Sequence, residues 1–82
     1  MPGEGLTTEE RDLLREITAS VDRGAFAMAC DGSARPVAGR LRRGGLVDWK
    51  GESWGSSFFA PSAAGRAALA TPPQDRAEEG RR

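Results

Sequence analysis

Arginine is the side chain with the most chemical reach in this sequence, and it is unevenly placed. Residues 33–50 carry five bases (Arg35, Arg40, Arg42, Arg43 and Lys50) against one acid, Asp48. Residues 1–22 carry six acids (Glu4, Glu9, Glu10, Asp12, Glu16 and Asp22) against two bases, Arg11 and Arg15. The whole chain has a formal charge of zero. That balance predicts weaker nonspecific affinity for nucleic acid than a strongly basic domain would have. A phosphate backbone responds to the local face, however, and a neutral protein can present a basic one.

Other chemistries are excluded by residue type. Histidine is absent and Cys30 is the only cysteine. A Cys/His zinc site, a histidine-based acid–base pair or triad, and an internal disulfide are therefore ruled out. Cys30 reads as a small buried hydrophobe. The adjacent acids Glu9-Glu10 and Glu78-Glu79 fall in a first helical turn and a polar tail, neither of which builds the dry, preorganised pair that acid–base catalysis needs. Gly44-Gly45 lacks the spacing and the lysine of a phosphate loop. The sequence predicts no enzyme, no cofactor and no metal.

The elements that must position the bases follow from patterning. Residues 1–5 read as a flexible arm. Thr7-Thr8-Glu9-Glu10 offers a capping box, and Leu13, Leu14, Ile17 and Val21 then recur at helical spacing. Acids crowd the first turn, where the helix dipole favours them. Asp22-Arg23-Gly24 ends this first helix. In residues 24–30, Phe26, Met28 and Cys30 alternate with alanines; the segment suits a short strand or a turn and a half of helix equally. Asp31-Gly32-Ser33 breaks it.

A further helix is predicted over 34–43. Ser33 is placed to cap it and Pro36 falls in its first turn. Ala34, Val37, Ala38 and Leu41 share one face. Pro36, Gly39, Arg40 and Arg43 lie around the other, with Arg35 and Arg42 on a flank. Gly44-Gly45 stops the helix. A hairpin follows, with Leu46–Trp49 and Ser57–Ala60 as strands and a polar loop from Lys50 to Ser56 too long for a two-residue turn. Ser62 starts a short helix, Ala63 to Ala70, which Thr71-Pro72-Pro73 ends. Residues 71–82 are expected to be a disordered tail.

Two segments, "ARPVAGRLRRGGLV" (34–47) and "FFAPSAAGRAALA" (58–70), resemble the winged helix-turn-helix family of bacterial and phage transcription regulators. Residues 34–47 are similar to a recognition helix running into the first wing strand. Residues 58–70 are similar to the last wing strand entering the closing Gly-Arg helix. The likeness covers about residues 6–70 and implies an α+β fold: a helical core with a two- or three-stranded antiparallel wing sheet. It also implies a DNA-binding function, with the 34–43 helix in the major groove and the hairpin on the backbone. Carried onto this sequence, the groove and phosphate contacts would be Arg35, Arg40 and Arg43, with Ser33 at the helix start and Lys50 and Ser53 on the wing. The bland reading of the same arginines is a solvated face paired partly with the acids of the first helix. Arg42 could pair in that way too, and Arg66 reads as a structural surface residue.

The tryptophans point elsewhere. Trp49 alternates with Val47, so it is expected to pack in the core or on the sheet. Trp54, between serine and glycine in the hairpin loop, either folds back over the sheet or stands exposed. Exposed, it would mark the alternative function: a protein-interaction module, an inhibitor or adaptor using the same fold against a protein partner. A chain of this size has a modest core, leaving room for a homodimer or bound partner to add stability. No apolar run is long enough to cross a bilayer and no secretory signal is visible, which predicts a soluble, cytoplasmic protein with no membrane partner.

Overall fold

The computed structural model describes residues 6–70; the expected arm at 1–5 and tail at 71–82 lie outside the described residues. Helix α1 spans Thr8–Asp22. Its capping box forms as expected: the Thr7 hydroxyl accepts from the Glu10 backbone N–H, and the Thr7 N–H donates to the Glu10 carboxylate, both at 3.0 Å. Gly24, at φ 109°, lets the chain leave the helix. Ala25 N–H then bonds the Ser20 carbonyl and Gly24 N–H the Val21 carbonyl, closing the last open carbonyls.

Strand β1 is Met28–Cys30, which settles the open segment. Six residues between two glycine turns are too few to repay helix nucleation. An edge of sheet supplies backbone partners at once: Met28 lies opposite Phe59 and Cys30 opposite Ser57. Helix α2 spans Ala34–Arg43, as the pattern predicts. Its start differs. Ser33 is itself in helical geometry and its side chain makes no cap. The first amides bond instead to backbone carbonyls, Ala34 N–H to Asp31 and Arg35 N–H to Gly32. The tight turn through Gly32 brings those carbonyls within reach and leaves the hydroxyl unused. At the other end Gly45 takes φ 79°, and Leu46 N–H reaches back to the Leu41 carbonyl at 2.9 Å.

Strands β2 (Val47–Ser53) and β3 (Ser56–Pro61) and helix α3 (Ala63–Ala70) complete the order. Over the described residues the result is an α+β fold with three helices and a three-stranded antiparallel sheet, ordered β1-β3-β2. The hairpin corrects the expectation of a long loop. A bulge at Lys50, between the Trp49–Phe59 and Gly51–Phe58 pairs, absorbs one residue of β2 and lets the ladder run on to Ser53–Ser56. Only Trp54 and Gly55 remain in the turn, both at positive φ (55° and 78°). That is the twist a two-residue hairpin turn prefers, and asparagine suits its first position far better than a bulky ring does. Trp54→Asn is expected to stabilise the fold by about 1 kcal/mol, read as a higher urea midpoint. A lower midpoint would mean that the indole contributes to folding.

The core lies between α1, α2 and one sheet face. Leu14, Ile17, Leu41, Val47 and Cys30 are fully buried, with Leu13, Val37, Ala38 and Phe59 around them. Burial pushes the Cys30 thiol up to about 11, with the Asp31 and Glu16 charges adding to the shift, so it stays protonated and unreactive near neutrality. Trp49 departs from expectation: it is 45% exposed. Its pair partner Phe59 lies on the central strand beneath the helices, whereas Trp49 lies on the edge strand, with the Arg42 guanidinium 5.3 Å from its ring centroid.

Helix α3 is anchored at its first turn. Ser62 donates through its hydroxyl to the Gly45 carbonyl (2.6 Å) and through its N–H to the Leu46 carbonyl (3.0 Å), and its Oγ accepts from Gly65 N–H. Buried Gly65 lies against Leu46 and Leu14. Arg66 pairs with Asp22 at 3.0 Å, the structural surface role expected of it. Among the described residues no helix is long and apolar enough to cross a membrane.

Candidate nucleic-acid interface

Helix α2 has four sides with four different tasks. Val37, Ala38 and Leu41 face the core, with Ala34 at its margin. A periodicity of 3.6 then places Arg40 on one flank, Arg35 and Arg42 on the other, and Pro36, Gly39 and Arg43 along the outer crest.

The flanks are largely committed to holding the fold. Arg40, which the sequence pattern groups with the outer face, turns toward α1. Its Nε donates to the Glu10 carboxylate at 2.7 Å and its Nη2 lies 3.5 Å from Glu9. Glu10 is buried, and its carboxyl is held below the usual carboxylate range by the Arg40 hydrogen bond first and the Thr7 N–H second. Arg35 turns toward the sheet, where its Nη2 donates to both Glu52 and Ser57 at 3.0 Å. The bulge makes that contact possible. Without it, β2 would present Gly51 and Ser53 on the helix side; with it, Glu52 lies opposite Ser57 and on the same face. The Ser57 hydroxyl donates in turn to Glu52 at 3.1 Å, so this small network is internally satisfied.

The remaining bases are held differently. Arg42 lies over Trp49 rather than against an acid of α1. Lys50 lies 5.8 Å from the ring centroid of Phe26. Arg43 is exposed and has no ion-pair partner among the described residues. A carboxylate cancels a base's charge, whereas a ring only steadies it. These bases do not share one face: Arg42 lies over Trp49 on the Phe59 side of the sheet, whereas Lys50 lies with Phe26 and Phe58 on the other side, in a cleft that Glu52 also lines.

Ser33 lies on the opposite side, lining a groove with Glu9, Asp12 and Glu16, where a phosphate would meet three carboxylates. Ser53 is exposed near the hairpin end and lines a shallow cleft with Phe26, Lys50 and Phe58. Trp54 stands almost wholly in solvent, 99% exposed, which settles its orientation.

The structure thus separates the sequence-derived candidates. Arg43 stands on the crest beside Arg42, Lys50 lies across the sheet with Phe26 and Phe58, Arg35 and Arg40 act as ties, and Ser33 lies apart. Two participants were not selected from sequence: Phe26, 76% exposed in the bend before β1, and Trp49 beneath Arg42. The alternation that linked Phe26 to Met28 and Cys30 fails because the strand begins only at Met28. No family model, curated protein or solved structure matches this chain.

Proposed function

We propose that this is a winged-helix-like DNA-binding protein of transcription-regulator type, with α2 entering the major groove and the β2–β3 hairpin lying on the backbone beside it. The observation that carries this reading is that Arg42 and Arg43, at the C-terminal end of α2, have no carboxylate partner among the described residues, with Lys50 on the hairpin that would lie along the backbone. The crest of α2 supports it, because Pro36 and Gly39 are small and allow a close backbone approach. Arg35 and Arg40 give orientation to α2 rather than contact to the ligand.

A duplex titration at low salt tests this assignment of roles. The Arg43→Ala/Lys50→Ala double variant is expected to bind duplex about 10-fold or more weakly than the parent. Arg40→Ala, compared under conditions where it is folded, is expected to keep the parent affinity. Equal affinity for the parent and the double variant would overturn the proposal.

One observation favours a second reading. Trp54 is a large ring displayed in full solvent at a backbone conformation that costs free energy, as a protein-binding anchor would be. A protein partner captured by the parent and lost by Trp54→Ala, with duplex binding absent in both, would favour that reading.

A further inference from the structure

Resting on the DNA-binding reading, we propose that Arg42 is the residue that sets base preference, and that Trp49 is the residue that positions it. The two bases nearest to it in the same helix turn are unlike it. Arg40 spends its Nε–H and Nη2 on Glu10 and Glu9. Arg43 is exposed without a partner among the described residues, free to swing, and suits a backbone phosphate. Of these three, Arg42 is both oriented and unspent. Its guanidinium is held over the Trp49 ring, and among the described residues its side chain makes no hydrogen bond or ion pair.

The contact matters because a guanidinium is planar. A ring against one of its faces would leave the in-plane N–H donors turned outward, and that edge is what pairs in bidentate fashion with O6 and N7 of guanine. Side-chain freedom lost in making the contact is then partly lost already in the free protein. Trp49 can hold the guanidinium because it stands at the edge of the sheet, half exposed, on the face toward α2. Glu52, the acid that the bulge brings to this face of β2, is engaged by Arg35 and Ser57. A guanine edge is the chemical class the arrangement fits.

Selection of duplexes from a random pool, followed by affinity for the best duplex relative to a guanine-to-adenine variant of it, tests the inference. Parent protein is expected to discriminate by about 10-fold or more. Arg42→Lys keeps the charge but loses the fork, and is expected to bind both duplexes with nearly equal affinity while retaining most of the parent affinity for random duplex. Trp49→Leu is expected to reduce the discrimination and Trp49→Phe to restore much of it. A folded Arg42→Lys variant that discriminates like the parent overturns the inference and leaves the DNA-binding reading standing. So does a parent protein that binds duplex with no base preference. A parent protein that binds no duplex overturns the DNA-binding reading itself.

Discussion

Replacing Gly65 by alanine is expected to destabilise the fold by about 3 kcal/mol, lowering the melting temperature by roughly 15 °C. The direction is opposite to helix propensity, which alone would favour alanine over glycine in a helix by about 1 kcal/mol. Packing decides the sign. A β-carbon on Gly65 would fall inside van der Waals contact of the Leu46 carbonyl oxygen, with the Leu46 carbonyl carbon at 3.1 Å and Leu14 Cδ1 at 3.2 Å. The Leu46 oxygen is backbone and already accepts from Ser62 N–H, so it has little room to retreat. Either α3 lifts off or the α2–β2 junction moves. Gly39→Ala provides the comparison, because its added carbon would meet only the end of the Arg43 side chain at 3.9 Å. That variant is expected to gain about 1 kcal/mol. Thermal unfolding of the two variants side by side measures both signs, and a neutral Gly65→Ala would show that α3 does not pack as described.

Arg40→Ala is expected to cost about 2 kcal/mol, a value between that of an exposed ion pair and that of a buried pair broken on one side. Arg40 is 43% exposed but its partner Glu10 is only 10% exposed, so the loss falls mostly on the carboxylate left behind. Arg43→Ala, on the crest, is expected to change stability by less than about 0.5 kcal/mol. The pH dependence has a definite sign. Glu10 titrates lower in the folded protein than in the unfolded chain, chiefly because Arg40 hydrogen-bonds its ionised form. The stability it contributes is complete above the ordinary carboxylate pKa and is lost as pH falls through the folded value. The gap between parent and Arg40→Ala in urea unfolding should therefore narrow on acidification below the carboxylate range. A gap that stays constant into that acidic range would contradict the Glu10 assignment.

Local rules made much of this fold legible. Thr7 and Glu10 announce a capping box, and Gly24 and Gly45 each end a helix through the same pair of reversed hydrogen bonds. The apolar stripes of α1 and α2 become the buried core with little change. What the sequence did not disclose depends on a single inserted residue and on neighbours distant in the chain. The bulge at Lys50 has no local signature beyond the following glycine, yet it moves Glu52 onto the helix side and shortens the loop to Trp54-Gly55.

The candidate site was less legible for a related reason. Helical periodicity sorts arginines by angle around α2, but their partners come from α1 and β2. Arg40 and Glu10 are 30 residues apart, and Arg35 and Ser57 are 22 apart. Charge segregation along the chain therefore overstated the number of bases free for a ligand. It also concealed the difference between a base paired with an acid and one resting on a ring. Arg42 and Trp49 show that difference most clearly, because a flank position predicts an acid partner as readily as an aromatic one.

The central claim is that bases of α2 and the hairpin without a carboxylate partner bind duplex DNA, and the salt dependence of duplex affinity tests it most directly. With Arg43 and Lys50 as the phosphate contacts and Arg42 on a base edge, the slope of log affinity against log salt is expected to be about −2. Replacing either Arg43 or Lys50 by alanine should bring the slope about one unit closer to zero. No binding to duplex at low salt, or a slope unchanged when both are removed, would contradict the claim.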